Sequence, residues 1–91
     1  MEKTIKCLLL KNQKWLVTQI EEIEVEYELN MPNCKLTKPY VITEEKLTGS
    51  IHLVPWCKFT NDDEMMIFSD YIVTIVDPKG TILDEYLKIT E

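Results

Sequence analysis

The sequence predicts a small all-β domain in which five or six strands form a strongly bent barrel. Two observations support this fold class. Short segments alternate apolar and polar residues, and one β-rich run, Trp15–Leu29, is almost three times as long as a typical strand. A chain of 91 residues has room for one hydrophobic core, so we expect residues 1–91 to form a single domain.

The long run changes its alternation near the middle. In Leu16–Ile20 the repeat falls on even positions, and in Ile23–Leu29 it falls on odd positions. One extra residue exchanges the two faces of a strand unless a β-bulge absorbs it, so we predict a bulge at Glu21–Glu22. Because bulges bend strands, this pattern favours a closed barrel over an open sheet. The alternating acidic side chains are expected to form a solvated outer face: Glu22, Glu24, Glu26 and Glu28.

The segments on either side of this run predict further strands. Alternation over Thr4–Leu10 predicts the first strand, and the polar segment Lys11–Lys14 is a predicted hairpin turn. Asn30–Cys34 contains turn-forming residues, and Lys35–Thr43 is a predicted strand. Pro39 cannot donate a backbone hydrogen bond, so this strand should lie at an edge or contain an irregularity.

The second half of the chain has a different pattern. Ile51–Phe59 is a predicted strand that Pro55 interrupts. Met65–Val76 is apolar on both faces on either side of Ser69–Asp70, and strands of this kind are covered on both sides. In a domain this small we expect the second cover to be another subunit. Thr81–Thr90 fits either a strand or a short helix, and we favour a strand.

Composition excludes several classes of function. The net charge is −6 and the chain contains no arginine, which is unfavourable for binding duplex DNA. Three scattered cysteines and one histidine provide neither a disulfide framework nor the four clustered ligands of a zinc site. His52 and Cys57 fall on opposite faces of one predicted strand, and no phosphate-binding glycine loop is present. We therefore expect no enzymatic activity, no metal and no cofactor.

Targeting signals are not visible in the sequence. The apolar run near the start, Leu8–Leu10 with its neighbour Cys7, is too short for a signal peptide, and no segment approaches the length of a membrane span. Scattered cysteines suit a reducing compartment. We expect a cytoplasmic protein that makes no contact with membranes.

Aromatic residues beside lysines can stack on nucleic-acid bases while the lysines contact phosphates. The sequence offers Lys14–Trp15 and Lys38–Tyr40 as such combinations. The loop Asn30–Lys35 adds backbone amides and a lysine for polar contacts. Packing in the core or at an interface is the alternative role of these aromatic residues.

The order of these segments resembles the Sm-like (Sm/LSm/Hfq) fold. Residues 8–29, LLLKNQKWLVTQIEEIEVEYEL, resemble the first Sm motif, in which a strand, a short polar turn and a long bent strand follow each other. Residues 65–78, MMIFSDYIVTIVDP, resemble the second motif, in which two short apolar strands flank a two-residue break. The whole chain is also similar to Sm-like proteins of cyanophage origin that are known from ocean metagenomes.

The resemblance implies an SH3-type barrel whose copies pair their edge strands head to tail. Such a contact closes a homo-oligomeric ring, of about five to seven subunits in this fold. The interface implied by the resemblance consists of apolar residues around the second motif: Met65, Met66, Ile67, Phe68, Tyr71, Ile72, Val73 and Ile75.

The resemblance also implies binding of single-stranded RNA or DNA and a role in nucleic-acid processing, in the host cytoplasm if the gene belongs to a phage. The predicted contacts lie in two loops and in the strand between them: Asn30, Asn33, Lys35, Lys38, Tyr40, Ser69, Asp70 and Tyr71.

The chain departs from the family pattern at the positions that matter for RNA. Thr18 replaces a glycine of the bent strand, and Ser69–Asp70 replaces an Arg-Gly or Lys-Gly break. The Asp and Asn with which the family contacts RNA fall near Glu24 and Glu28, or near Asn30 if the bulge shifts the register. Together with the negative charge, these departures support an alternative: a ring with a structural or protein-interaction role and no RNA site.

Overall fold

A computed structural model describes residues 4–23 and 32–90 of the chain. These residues form six strands, a short 3-10 helix at Ser69–Tyr71 and one α-helix. The elements are β1 Ile5–Leu10, β2 Trp15–Glu22, β3 Cys34–Glu44, β4 Ile51–Pro55, β5 Glu64–Ile67, β6 Ile72–Val76 and α1 Gly80–Thr90.

The six strands form one antiparallel sheet. The order across the sheet is β4-β3-β2-β1-β6, and β5 also pairs with β3. β5 pairs with the first half of β3, and β4 pairs with its second half. The predicted small, mostly β domain is therefore confirmed. β5 and β6 lie at opposite ends of the sheet and form no ladder with each other in the residues described.

The turn between β1 and β2 forms where the polar segment predicts it. The N–H groups of Leu10 and Gln13 donate to the carbonyl oxygens of Lys14 and Leu10, respectively, each at 3.0 Å. Gln13 has a φ of 71°, a left-handed conformation that usually selects glycine or asparagine. A glycine-free sequence can thus form this turn at a modest conformational cost.

The irregularity between β2 and β3 lies in β3 and not at Glu21–Glu22, and a second register shift separates β1 and β6 at Leu9/Leu10. Pairing between β2 and β3 is continuous through Glu22, and the register shifts instead at Lys38, opposite Thr18. Lys38 has a φ of 52°, and the Pro39 next to it has no N–H to donate to the ladder. The buried Thr18 hydroxyl lies 3.1 Å from the Thr37 carbonyl oxygen, to which it donates. The predicted bulge position is wrong, whereas the irregularity predicted from Pro39 is confirmed.

One face of the sheet encloses an inner cluster of four leucines, Leu8, Leu10, Leu16 and Leu36, which are fully buried. Ile67 of β5 and Ile72 of β6 pack against this same cluster, although their strands lie at opposite ends of the sheet. The sheet therefore curves around these leucines.

The opposite face of the sheet is covered by α1, where we expected a strand over Thr81–Thr90. Ile82 and Tyr86 are four residues apart, so both project from one face of the helix. They form the outer cluster with Cys7 and Val17. Burial of this pair against the sheet favours a helix. In a strand, Ile82 and Tyr86 would share their face with the charged residue Asp84, which would then be buried as well.

The Tyr86 side chain fixes α1 to the irregular part of β3. Its hydroxyl lies 2.8 Å from the carbonyl oxygen of Lys38 and 3.1 Å from that of Thr37. Its ring meets that of Tyr40 edge to face, with centroids 6.0 Å apart. Burial raises the pKa of Tyr86 to about 12. The helix is thus bonded to two backbone oxygens at the distorted part of the strand.

Candidate functional site

The β5 and β6 edges carry an unusual number of exposed apolar side chains. Val73 and Ile75 of β6 are 58% and 50% exposed, against 0% for the inner leucines. Polar or charged residues normally protect an open sheet edge against pairing with another chain. We define the edge set as the exposed apolar residues of this region: Met66, Phe68, Tyr71, Val73, Ile75 and Val76.

Alternation along β5 explains the exposure of Met66, because its neighbour Ile67 points to the inner cluster. In β6 the register with β1 shifts at Val73, which has no partner in that ladder, and both Ile75 and Val76 beyond it are exposed. Of the eight interface residues implied by the resemblance, five belong to the edge set. The remaining three are partly buried within the chain itself: Met65, Ile67 and Ile72.

An open groove of about 670 Å³ lies beside β6. Ile20 and Cys34 line it from β2 and β3, and Ile72 and Ile75 line it from β6. Burial, and secondarily the negative charge of Glu22, raise the pKa of the Cys34 thiol. An apolar groove next to an open strand edge can accept side chains of an added strand.

The two loops predicted to contact nucleic acid lie next to each other. The Asn33 side-chain amide donates to the Ser69 hydroxyl at 3.0 Å, and the Ser69 N–H donates to the Asn33 side-chain oxygen at 2.8 Å. Asp70 and Tyr71 follow in the exposed 3-10 helix. Asn30 lies outside the described residues. The structure thus brings together Asn33, Ser69, Asp70 and Tyr71.

Lys35 does not join this group as a free cation. Its ammonium group lies 3.3 Å from a carboxylate oxygen of Glu21 and 3.7 Å from one of Glu64. The hydrogen bond to Glu21, together with the charges of both glutamates, raises the pKa of Lys35. Two carboxylates around one ammonium leave a net negative charge, which is unfavourable for a phosphate.

Lys38 and Tyr40 lie elsewhere, beneath α1. The Lys38 ammonium donates to the Thr90 carbonyl oxygen at 3.1 Å, at the end of the helix. Tyr40 packs against the outer cluster and contacts Tyr86. These two predicted contacts are therefore engaged in holding the helix on the sheet.

Other kinds of site have no basis in the described part of the chain. Residues 4–23 and 32–90 contain no group of three or more histidine, cysteine, aspartate or glutamate side chains that could hold a metal ion. Within the same ranges, no helix combines the length and apolar content needed to cross a membrane.

Residues 3–91 match the sequence profile of a family of unknown function, DUF6561. The chain belongs to the DUF6561 family. A comparison with curated proteins finds no match. Because the description of DUF6561 names no activity, substrate or partner, the contacts of this DUF6561 chain are what bear on its function.

Two important residues of the DUF6561 chain were missed by the sequence reasoning. Val76 belongs to the exposed edge set, and Tyr86 joins the helix to β3. The spacing of Ile82 and Tyr86 was a usable signal for a helix. The exposure of Val76 depends on the end of the ladder with β1, which the sequence pattern does not define.

Proposed function

We propose that this DUF6561 protein is an Sm-like subunit that assembles head to tail into a closed ring. In the proposed contact, β5 of one copy pairs with β6 of the next. The observation that carries the proposal is that, among residues 4–23 and 32–90, both strands are open sheet edges with exposed apolar side chains. Because the two edges lie at opposite ends of the sheet, a pair of copies joined by this contact still has a free β6 edge on one copy and a free β5 edge on the other. Repetition of such a contact closes a ring of about five to seven copies.

The same contact would complete an SH3-type barrel. The sheet already curves, since Ile67 and Ile72 pack on one inner cluster. The 3-10 helix at Ser69–Tyr71 joins β5 directly to β6, so a short segment connects the two edges. A strand from a neighbour supplies the hydrogen bonds that these edges lack.

The expected energy favours a ring over isolated dimers. The five aliphatic, methionine and phenylalanine members of the edge set are about half exposed, so their burial contributes about 1 kcal/mol each, or about 5 kcal/mol per interface. Association costs at least about 4 kcal/mol in lost translational and rotational freedom. One interface is therefore marginal, whereas the contact that closes a ring adds an interface without the loss of freedom of a further subunit.

A structural or protein-interaction role is what the geometry supports best for this ring. Lys35 is surrounded by carboxylates, and Lys38 and Tyr40 are engaged with α1. The net charge of −6 acts in the same direction. A protein surface tolerates these features, whereas a phosphate backbone is repelled by them.

Binding of single-stranded nucleic acid is the second candidate function. The specific observation in its favour is the bonded pair Asn33 and Ser69, which joins the two loops predicted as contacts. Fluorescence anisotropy with short oligouridine, oligoadenine and single-stranded DNA at low salt tests it. Binding that Asn33→Ala weakens supports this site, and the absence of binding to all three probes removes the function.

Disulfide trapping tests the head-to-tail contact. Met66→Cys and Val73→Cys place single thiols on β5 and β6, in a Cys57→Ser background that removes the partly exposed native thiol. We expect cross-linked dimers when the two variants are mixed and few when either is oxidised alone. The proposed contact would be overturned if each variant cross-linked with itself and the mixture contained no dimer that joins Met66→Cys to Val73→Cys.

A matched control separates assembly from random collision. Leu47→Cys places a thiol on a side chain that is 95% exposed in the β3–β4 loop. This variant should not cross-link with Val73→Cys under the same conditions. Equal yields for Met66→Cys and Leu47→Cys would show that only collisions are being trapped.

A further inference from the structure

Residues 3–20, which include β1, the turn and the first part of β2, are a basic region within an acidic protein. Residues 3–20 contain four lysines and no aspartate or glutamate, whereas the other residues contain six lysines and all sixteen acidic residues. Within this stretch Lys6 is paired with Asp77. Lys11 and Lys14 lie in the turn, and neither forms an ion pair within the described residues.

The turn holds these two lysines in a defined backbone frame. The Lys14 N–H donates to the Asn12 side-chain oxygen at 3.1 Å, and the Lys14 carbonyl accepts from Leu10 at 3.0 Å. The Lys11 N–H donates to the Tyr71 carbonyl oxygen, also at 3.0 Å. Both lysine side chains are exposed. Fixed backbone on either side lowers the ordering cost of binding a ligand at this turn.

An aromatic residue follows these lysines directly in the sequence. Trp15 opens β2, pairs with Leu9 of β1 and keeps 37% of its surface exposed. It lies two residues before Val17, so it shares the outer face of the sheet with the cluster beneath α1 but lies outside that cluster. Trp56, by contrast, packs against the inner leucines. An exposed indole offers a flat apolar surface on which a base can stack.

We propose that Lys11, Lys14 and Trp15 form a binding site for single-stranded nucleic acid, in which Trp15 stacks on a base and the two lysines contact the flanking phosphates. The site concerns the ligand class of the second candidate function but lies at a different place from the Asn33–Ser69 loops, and it does not depend on ring formation. An acidic polypeptide is the other ligand with suitable charge. The exposed indole favours nucleic acid, because every base presents a stacking surface.

A second exposed lysine–aromatic pair provides a matched control. Phe59 is 94% exposed, and the Lys58 ammonium lies 6.0 Å from its ring centre. This pair is followed closely by Asp62, Asp63 and Glu64, whose charges oppose a phosphate backbone. Local charge, rather than the presence of a lysine next to an aromatic ring, is therefore what distinguishes the two places.

The experiment measures binding of fluorescein-labelled oligouridine and single-stranded DNA by anisotropy, in the full-length chain, at several salt concentrations. The double variant Lys11→Ala/Lys14→Ala is compared with Lys46→Ala/Lys58→Ala, which changes the net charge by the same amount. We expect the turn variant to bind at least about tenfold more weakly and to lower the slope of log K against log salt by about 1.4. The control variant should bind like the unchanged chain.

Stacking has its own optical readout. Trp56→Phe leaves Trp15 as the single tryptophan, and its fluorescence should be quenched when the oligonucleotide binds. Trp15→Ala should weaken binding about tenfold. Trp15→Phe, which keeps a ring, should retain part of the affinity. The Tyr71 carbonyl oxygen accepts from Lys11 in the turn, so the neighbouring Asp70 carries its negative charge near the proposed site. Asp70→Asn removes this charge and should strengthen oligonucleotide binding.

Several outcomes would overturn the site, and they differ from one another. Equal losses in the turn and control variants would mean that only overall charge matters. Losses with Asn33→Ala alone would place binding at the Asn33–Ser69 loops and not at the turn. Binding of polyglutamate that is insensitive to Trp15→Ala would indicate an acidic protein ligand. No binding of any oligonucleotide would remove both nucleic-acid sites and leave the proposed ring untouched.

Discussion

Two regions of the molecule differ in how their backbone polar groups are satisfied. One is the junction of β3 with α1, and the other is the pair of open edges of the sheet. At the junction, Tyr86 and Lys38 satisfy the backbone oxygens that an irregular strand and a helix end leave open. At the outer edges of β5 and β6, no further strand pairs with the backbone in the part of the chain that the structure describes, and apolar side chains are exposed. The difference separates a region in which the chain satisfies its own polar groups from a region in which we expect another copy of the chain to bind.

Both regions contain local features that would be unfavourable in isolation. Lys38 adopts a left-handed conformation, which costs about 1 kcal/mol for a residue with a side chain. The apolar residues of the edge set are about half exposed, and an exposed apolar patch promotes association. The first cost is offset inside the chain, and the second is expected to be offset between chains. Variants in the two regions can therefore be tested separately, for assembly at the edges and for stability at the junction.

The largest expected effect is on assembly. Val73→Asp/Ile75→Asp places two carboxylates in the proposed interface, where removal from water costs several kcal/mol per charge. This exceeds the gain of about 5 kcal/mol per interface from apolar burial, so we expect a folded monomer. Sedimentation velocity gives the mass, and circular dichroism reports whether the fold is kept.

The matched control for this variant is Leu47→Asp, which introduces a charge on an exposed loop residue. It should assemble like the unchanged chain. An unaltered oligomer in Val73→Asp/Ile75→Asp would show that β6 is not an interface.

The next largest effect concerns the junction. Tyr86→Ala removes a fully buried ring from the outer cluster and should lower the free energy of unfolding by about 3–5 kcal/mol. The measurement is urea denaturation in the monomeric Val73→Asp/Ile75→Asp background, so that assembly does not contribute. Tyr71→Ala, at an exposed tyrosine, should change the free energy by well under half as much. Similar losses of unfolding free energy in both variants would show that Tyr86 contributes no more to stability than an exposed tyrosine.

The pH dependence of stability provides a sharper test of the same residue. Burial raises the pKa of Tyr86 from 10.0 to about 12, so the folded state retains a proton that the unfolded state loses in this range. The stabilisation is complete below pH 10 and is lost as the pH rises from 10 towards 12, by about 3 kcal/mol in total.

Tyr86→Phe lacks this titration and serves as the reference. The advantage of the unchanged chain over Tyr86→Phe in free energy of unfolding should shrink as the pH rises through this range. Lysines titrate in both proteins and cancel in the comparison. A difference that stays constant across the range would contradict the buried, neutral hydroxyl.

The fold could be predicted from the sequence where the pattern is local, and not where it depends on packing. Alternation over β1 and the apolar segments around Ser69–Asp70 predicted strands, because side chains of a strand alternate between its faces. α1 was assigned to the wrong class, because Ile82, Ile89 and other β-branched residues weaken its helix propensity. Its contact with the outer cluster decides in favour of the helix.

The candidate sites were predictable to a similar extent. The edge set and the adjacent loops follow from strand order and residue type. The pairing of Lys35 with Glu21 and Glu64 was not predictable, because it brings together three strands that are far apart in the chain. The bulge was placed at Glu21–Glu22 because a change of phase in one strand does not reveal its partner, in which the extra residue actually lies.

The smallest expected effect isolates the conformational cost at Lys38. Lys38→Ala and Lys38→Gly both remove the bond to the Thr90 carbonyl, but only glycine adopts a φ of 52° without strain. We expect Lys38→Gly to be more stable than Lys38→Ala by about 1 kcal/mol in urea denaturation. Equal stabilities of the two variants would show that the left-handed conformation carries no cost here.

Native mass spectrometry of the unchanged chain tests the central claim most directly. The account predicts one dominant closed species with a mass that is a small whole multiple of 10.7 kDa, with little dimer at any concentration. A spectrum dominated by the 10.7 kDa monomer at micromolar concentration would contradict it. An open-ended ladder of sizes would retain the head-to-tail contact but contradict closure of the ring.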